Sequence, residues 1–85
     1  MDDKFVPKIN CRYKIRQDFD GFIGFFQNKG VLTFNEAGVF IVKQMNGEKS
    51  LLEIEQLVRD VFPKIDNPKG EVVSIAKELK EAGFF

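Results

Sequence analysis

Val31-Leu32-Thr33-Phe34-Asn35-Glu36-Ala37-Gly38-Val39-Phe40-Ile41 holds the change of period that decides the fold. Up to Phe34 the residues suit a short extended strand. Asn35 then supplies a side-chain oxygen suited to capping the first free N–H groups of a helix. Beyond it Ala37, Phe40, Ile41 and Met45 fall on one helical face, and Gly47 is the expected stop. Gly38, in the first turn of that helix, costs helix stability relative to alanine, so a neighbouring element is expected to approach closely there.

Upstream of this point the period is two. Tyr13 and Ile15 alternate with Lys14 and Arg16, the pattern of a half-buried strand. Asp18-Phe19-Asp20-Gly21 follows as turn chemistry, with Asp20-Gly21 a pair suited to positive φ. Phe22 to Gln27 is the second expected strand, Asn28-Lys29-Gly30 a second turn, and Val31 to Phe34 the third strand. Three strands joined this closely form an antiparallel meander.

Downstream the period is helical. Ser50 and Glu53 have the spacing of a capping box, opening a helix that runs to Phe62 and stops at Pro63. Its expected apolar face is Leu51, Ile54, Leu57, Val58 and Val61. Asn67 before Pro68 places a capping side chain ahead of a proline at the first helical position. Val72, Ile75, Ala76, Leu79 and Ala82 then form one stripe that closes at Gly83, with Phe84-Phe85 expected to fold back onto the core. Three strands followed by three helices predict a single α+β domain of winged helix-turn-helix type over residues 1–85.

The chain of 85 residues has 44% hydrophobic residues, 10 of them Phe, which supports a dense core rather than disorder. Its 13 basic and 13 acidic residues cancel. Nucleic-acid binders draw much of their affinity from phosphate neutralisation, so this balance argues against nucleic acid as a partner. Histidine is absent and Cys11 is the lone cysteine. The chain therefore lacks the commonest general base and zinc ligand, and no metal, cofactor or catalytic residue is assigned. A phosphate-cradling glycine loop and a nucleophile elbow are also missing from the sequence. A single thiol suits a reducing compartment. No apolar run approaches the roughly 20 residues that span a bilayer, and Met1-Asp2-Asp3-Lys4 is too polar to open a secretory signal. A cytoplasmic protein without a membrane partner is expected.

Two surfaces stand out. Along the second strand, Phe22 and Phe26 point one way while Ile23 and Phe25 point the other, so both sheet faces call for cover. Either the N-terminal arm packs there through Phe5, Val6 and Ile9, or the face is a homodimer or partner surface. The third strand is last in the meander, hence an edge whose unpaired backbone groups an extended peptide could satisfy.

Val6-Pro7-Lys8-Ile9, the run Val31 to Gly38, Asn46-Gly47-Glu48-Lys49-Ser50-Leu51-Leu52-Glu53-Ile54, and Leu79-Lys80-Glu81-Ala82-Gly83-Phe84 occur in an order and spacing that resemble the PqqD-like family, also called RiPP recognition elements. The resemblance covers nearly all of residues 6–85. It departs from the family pattern at Asn46-Gly47, where Asp-Gly is frequent, and in the long aromatic second strand. It implies a winged-helix domain, not itself an enzyme, that binds the leader of a ribosomally made precursor peptide as a strand added to the third strand. The leader would lie against the third helix. Transferred by position, Val31, Leu32, Thr33 and Phe34 form one wall of the peptide groove, and Val73, Ala76, Lys77 and Lys80 the other. Leu32 and Phe34 have an alternative role as core, since they share the face that the first helix should cover. The resemblance also implies a separate modifying enzyme of the radical S-adenosylmethionine kind. Any iron–sulfur cluster would belong to that partner, because one cysteine cannot hold one.

The competing reading is a winged-helix DNA-binding regulator, since fold does not fix function. That reading needs a basic recognition helix. The second helix instead sets Glu53, Glu55 and Asp60 against Arg59, and the third balances Lys77 and Lys80 with Glu78 and Glu81.

Overall fold

The computed structural model describes residues 2–85 and arranges them as β1 (Tyr13–Asp18), β2 (Gly21–Phe26), β3 (Gly30–Phe34), α1 (Glu36–Gln44), α2 (Leu51–Val61) and α3 (Pro68–Glu81). The three strands form one antiparallel sheet in the order β1-β2-β3, followed by the three helices, the α+β architecture that the periods predict. Tyr13 pairs with Phe26, Ile15 with Gly24 and Gln17 with Phe22; across the second ladder Phe26 meets Gly30, Gly24 meets Leu32 and Phe22 meets Phe34. These residues line the face turned to the helices. Phe26 is its centre, with ring centroids 5.3 Å from Tyr13, 6.2 Å from Phe34 and 4.5 Å from Phe84. Tilted and edge-on pairs of this kind stabilise beyond their buried area, by about 0.5–1.5 kcal/mol each.

The caps sit where the side chains demand. Asn35 Oδ1 accepts from the Gly38 N–H at 2.7 Å, and Asn67 Oδ1 from the Gly70 N–H at 3.1 Å. The capping box closes in both directions, Glu53 N–H to Ser50 Oγ at 3.2 Å and Ser50 N–H to Glu53 Oε1 at 3.0 Å. At the end of α3, Gly83 takes φ of 84°. Its N–H donates to the Lys80 carbonyl and the Phe84 N–H to that of Leu79. That pair of bonds is a Schellman closure, and it swings Phe84 under the sheet, where it is fully buried. Gly38 permits the close approach expected of it: a Cβ there would lie 3.1 Å from Cβ of Phe34.

Several boundaries and faces differ from expectation. α1 ends at Gln44, not Gly47, because tertiary pairing takes over the segment that follows. Lys8 bridges Asn46, the Ile9 N–H donates to Met45, and the Gly47 N–H to Pro7. More of α1 is buried than one stripe, with Gly38, Val39 and Val42 joining Ala37, Ile41 and Met45. In α2 the buried residues are Leu51, Ile54 and Val58, while Leu57 is half-buried and Val61, in the last position, is exposed. In α3 Val72, Ala76 and Leu79 are buried, whereas Ala82 lies past the packed turn and is exposed. In the first hairpin Gly21 alone of the Asp20-Gly21 pair has positive φ.

The N-terminal arm does not cover the second sheet face. It runs beside the connection between α1 and α2: Phe5 accepts from the Leu51 N–H, and Asp3 from the Leu52 N–H. Phe5 rests against Phe85 at 5.5 Å, and Ile9 packs on the core. Of the outward residues of β2, Phe25 is 42% exposed and Ile23 is half-buried. No helix among the described residues is long and apolar enough to cross a membrane.

Candidate functional site

The direction of the backbone groups on β3 follows from one bond at the other side of the sheet. The Gln27 N–H donates to the Arg12 carbonyl at 2.9 Å, so the main-chain groups of Gln27 face β1. Residues along a strand turn their N–H and C=O groups alternately to the two sides. Phe25 and Ile23 therefore also address β1, while Phe26, Gly24 and Phe22 address β3. Their partners Gly30, Leu32 and Phe34 return those bonds. Val31 and Thr33 are left with N–H and C=O directed away from the sheet, and neither enters a backbone bond outside the sheet among the described residues. The free row on β3 thus consists of two residues, each offering a donor and an acceptor.

The four residues assigned to this wall divide accordingly. Val31, 56% exposed, and the exposed Thr33 present both backbone and side chains outside the core. Leu32 and Phe34 are half-buried and pack on the core from the inner face. They take the role of core and hold the strand at the height that leaves its edge open.

The four assigned to α3 also divide. Ala76 is fully buried and shows no side chain to a groove. Val73 is half-buried, and Lys77 and Lys80 are exposed. At the helical spacing of about 100° per residue, Val73, Lys77 and Lys80 share a flank with Lys69. Lys69 reaches Asp3 of the N-terminal arm, Nζ to Oδ1 3.8 Å. That pair turns the start of the flank toward the arm, and no ion pair or hydrogen bond ties Val73, Lys77 or Lys80 to β3 among the described residues.

Sequence reasoning overlooked three features. The β1 edge is open too, since the same alternation turns Tyr13, Ile15 and Gln17 outward. Phe19, at the tip of the first hairpin, is wholly exposed. Arg12, Lys14 and Arg16 form one column on the outer face, a pattern that alternation alone makes visible. Tyr13, stacked on Phe26, has its hydroxyl pushed above the ordinary phenol range by burial. The chain matches no known family model, no characterised protein and no solved structure.

Proposed function

We propose that this chain binds the leader segment of a ribosomally made precursor peptide as a fourth strand along β3. It then presents that peptide to a separate modifying enzyme of the radical S-adenosylmethionine kind and catalyses nothing itself. The observation that carries this reading is the outward row of Val31 and Thr33 at the sheet edge. Strand addition draws affinity from main-chain bonds and selectivity from alternate side chains, and two outward residues offer four such bonds. The resemblance over residues 6–85 supplies the class of peptide and the class of enzyme. Lys77 and Lys80 are exposed and suited to meeting acidic leader side chains. The reading places the protein in the cytoplasm, where precursor peptides are made and Cys11 stays reduced.

Amide hydrogen exchange tests it. The ligand is a synthetic peptide taken from the N-terminal part of a short reading frame, to be sought beside this gene. Saturating leader should slow exchange at Val31 and Thr33, whose amides are otherwise free to solvent, and leave the paired Leu32 little changed. Unchanged exchange at both residues would sink strand addition at this edge.

A further inference from the structure

The sheet face turned away from the helices carries Ile23 and Phe25 on β2 and Val31 on β3, bordered along β1 by Arg12, Lys14 and Arg16. A shallow groove of about 740 Å³ opens at one end of it, near Gln27 and Gly30, lined by Arg12, Lys14, Phe25 and Val31 together with Tyr13 and Phe26 of the inner face, and Ile23 lies outside it. The N-terminal arm, which could have closed this face, is fastened on the helical side. None of the three cations forms an ion pair among the described residues, where the pairs are Arg59–Glu55 and Lys69–Asp3. The acid on the same column, Asp18, stands at its far end, opposite Gly21.

We propose that this face is a docking surface for an acidic amphipathic helix of a partner protein. Its apolar side chains would seat on Phe25, Ile23 and Val31, and its carboxylates along the β1 border. The dimensions agree: strands lie about 4.8 Å apart, so β1 and β3 stand about 10 Å from each other, the diameter of one helix. Such a helix lies along β2 with one charged border. The charge decides between occupants. A second copy of this chain would bring six cations to one contact with only the two Asp18 side chains to offset them. Single-stranded nucleic acid needs successive aromatic platforms, and Phe25 is the lone aromatic on this face. An anionic lipid surface would be met first by the protruding hairpin tip, where Asp18 and Asp20 flank Phe19. This surface shares Val31 with the strand-addition edge, through its side chain rather than its backbone. The two are told apart by Thr33, whose amide the leader alone should protect, and by Ile23 and Phe25, which the glutamate peptide alone should shift.

The probe is a synthetic amphipathic peptide with a leucine face bordered by glutamates, with a counterpart carrying lysines in their place. Titrated into the full chain and followed by amide NMR, the glutamate peptide should saturate and shift Lys14, Ile23, Phe25 and Val31. The lysine peptide should leave them unmoved. Phe25→Ala removes a central aromatic anchor and should weaken binding roughly ten-fold. Lys14→Glu with Arg16→Glu alters only exposed side chains, so the fold should be kept, as circular dichroism checks, and it should abolish the preference for glutamate. Equal binding of both peptides, no binding of either, or shifts confined to other surfaces would overturn the proposal. So would tighter binding of phosphatidylserine vesicles or of oligouridine at the same residues, or sedimentation showing a dimer that buries them.

Discussion

Replacing Thr33 by proline separates the folding role of β3 from its binding role, because the register assigns the Thr33 N–H to the free edge. Proline deletes that donor, fixes φ near the extended range and is tolerated at sheet edges when the lost N–H faces solvent. No ladder bond is removed, so the expected loss of stability is about 1 kcal/mol, the span of strand propensities. Leu32→Pro is the matched control. Its N–H faces Gly24, whose carbonyl is buried, and its side chain packs on the core. An orphaned buried carbonyl costs about 1–3 kcal/mol, and truncating a core leucine about 2–5 kcal/mol. Together they consume much of the about 4–13 kcal/mol available to a domain of 85 residues. For the leader, Thr33→Pro removes one main-chain bond, and its ring sits where the incoming carbonyl would lie, disturbing a second. At about 0.5–1.5 kcal/mol per bond, affinity should fall roughly ten-fold or more. Urea denaturation measures the first effect, and calorimetric titration of the synthetic leader measures the second. Equal destabilisation by the two prolines would refute the outward assignment of Thr33. A folded Thr33→Pro chain with undiminished affinity would refute strand addition at β3 and move the leader to the face around Phe25.

Three further outcomes are expected. The double variant Lys77→Glu, Lys80→Glu should keep the fold, since both side chains are exposed. Its affinity for the leader should drop a few-fold in calorimetry, in keeping with the modest strength of exposed charge pairs; an unchanged affinity removes these residues from the site. Duplex DNA should bind negligibly at physiological salt, given 13 basic against 13 acidic residues, and a salt-sensitive sub-micromolar gel shift would revive the regulator reading. Tyr13 is the chain's one tyrosine, so phenolate absorbance reports it alone. Burial raises its folded-state pKa above the unfolded value. Its contribution to stability is therefore complete below pH about 10 and is lost as pH rises through the folded value. Titration at the ordinary phenol value in the folded chain would contradict the burial of its hydroxyl.

Local chemistry was legible because it needs no knowledge of neighbours. Ser50 with Glu53, Asn67 with Pro68, Asn35 and Gly83 each satisfy backbone groups within a few residues, and all act where the sequence puts them. The alternation in β1 likewise reveals its inner and outer faces. What required the tertiary fold was the partner of each apolar residue. Phe5, Val6 and Ile9 ask for cover without saying where, and backbone bonds to Met45, Leu51 and Leu52 draw the arm to the helices rather than the open face. The same bonds stop α1 before Gly47. Ala76 illustrates the limit at the candidate site: its place on the stripe was readable, but helical periodicity alone does not distinguish the centre of the stripe from a flank that could face a peptide.

The burial of Phe84 against Phe26 also has a kinetic meaning. The two rings touch across 58 residues of chain (84 minus 26). Bringing ends that far apart together costs about 3–4 kcal/mol of chain entropy from loop length alone. Hairpins and helical turns close over a few residues and form in microseconds. The sheet can therefore assemble while the cavity beneath Phe26 still lacks its last occupant. Such an intermediate would show Tyr13, Phe26 and Phe34 to solvent on one side and two unpaired strand edges on the other. Phe84 is thus expected to close over the sheet late, and shielding the ring of Phe26 is what its closure adds.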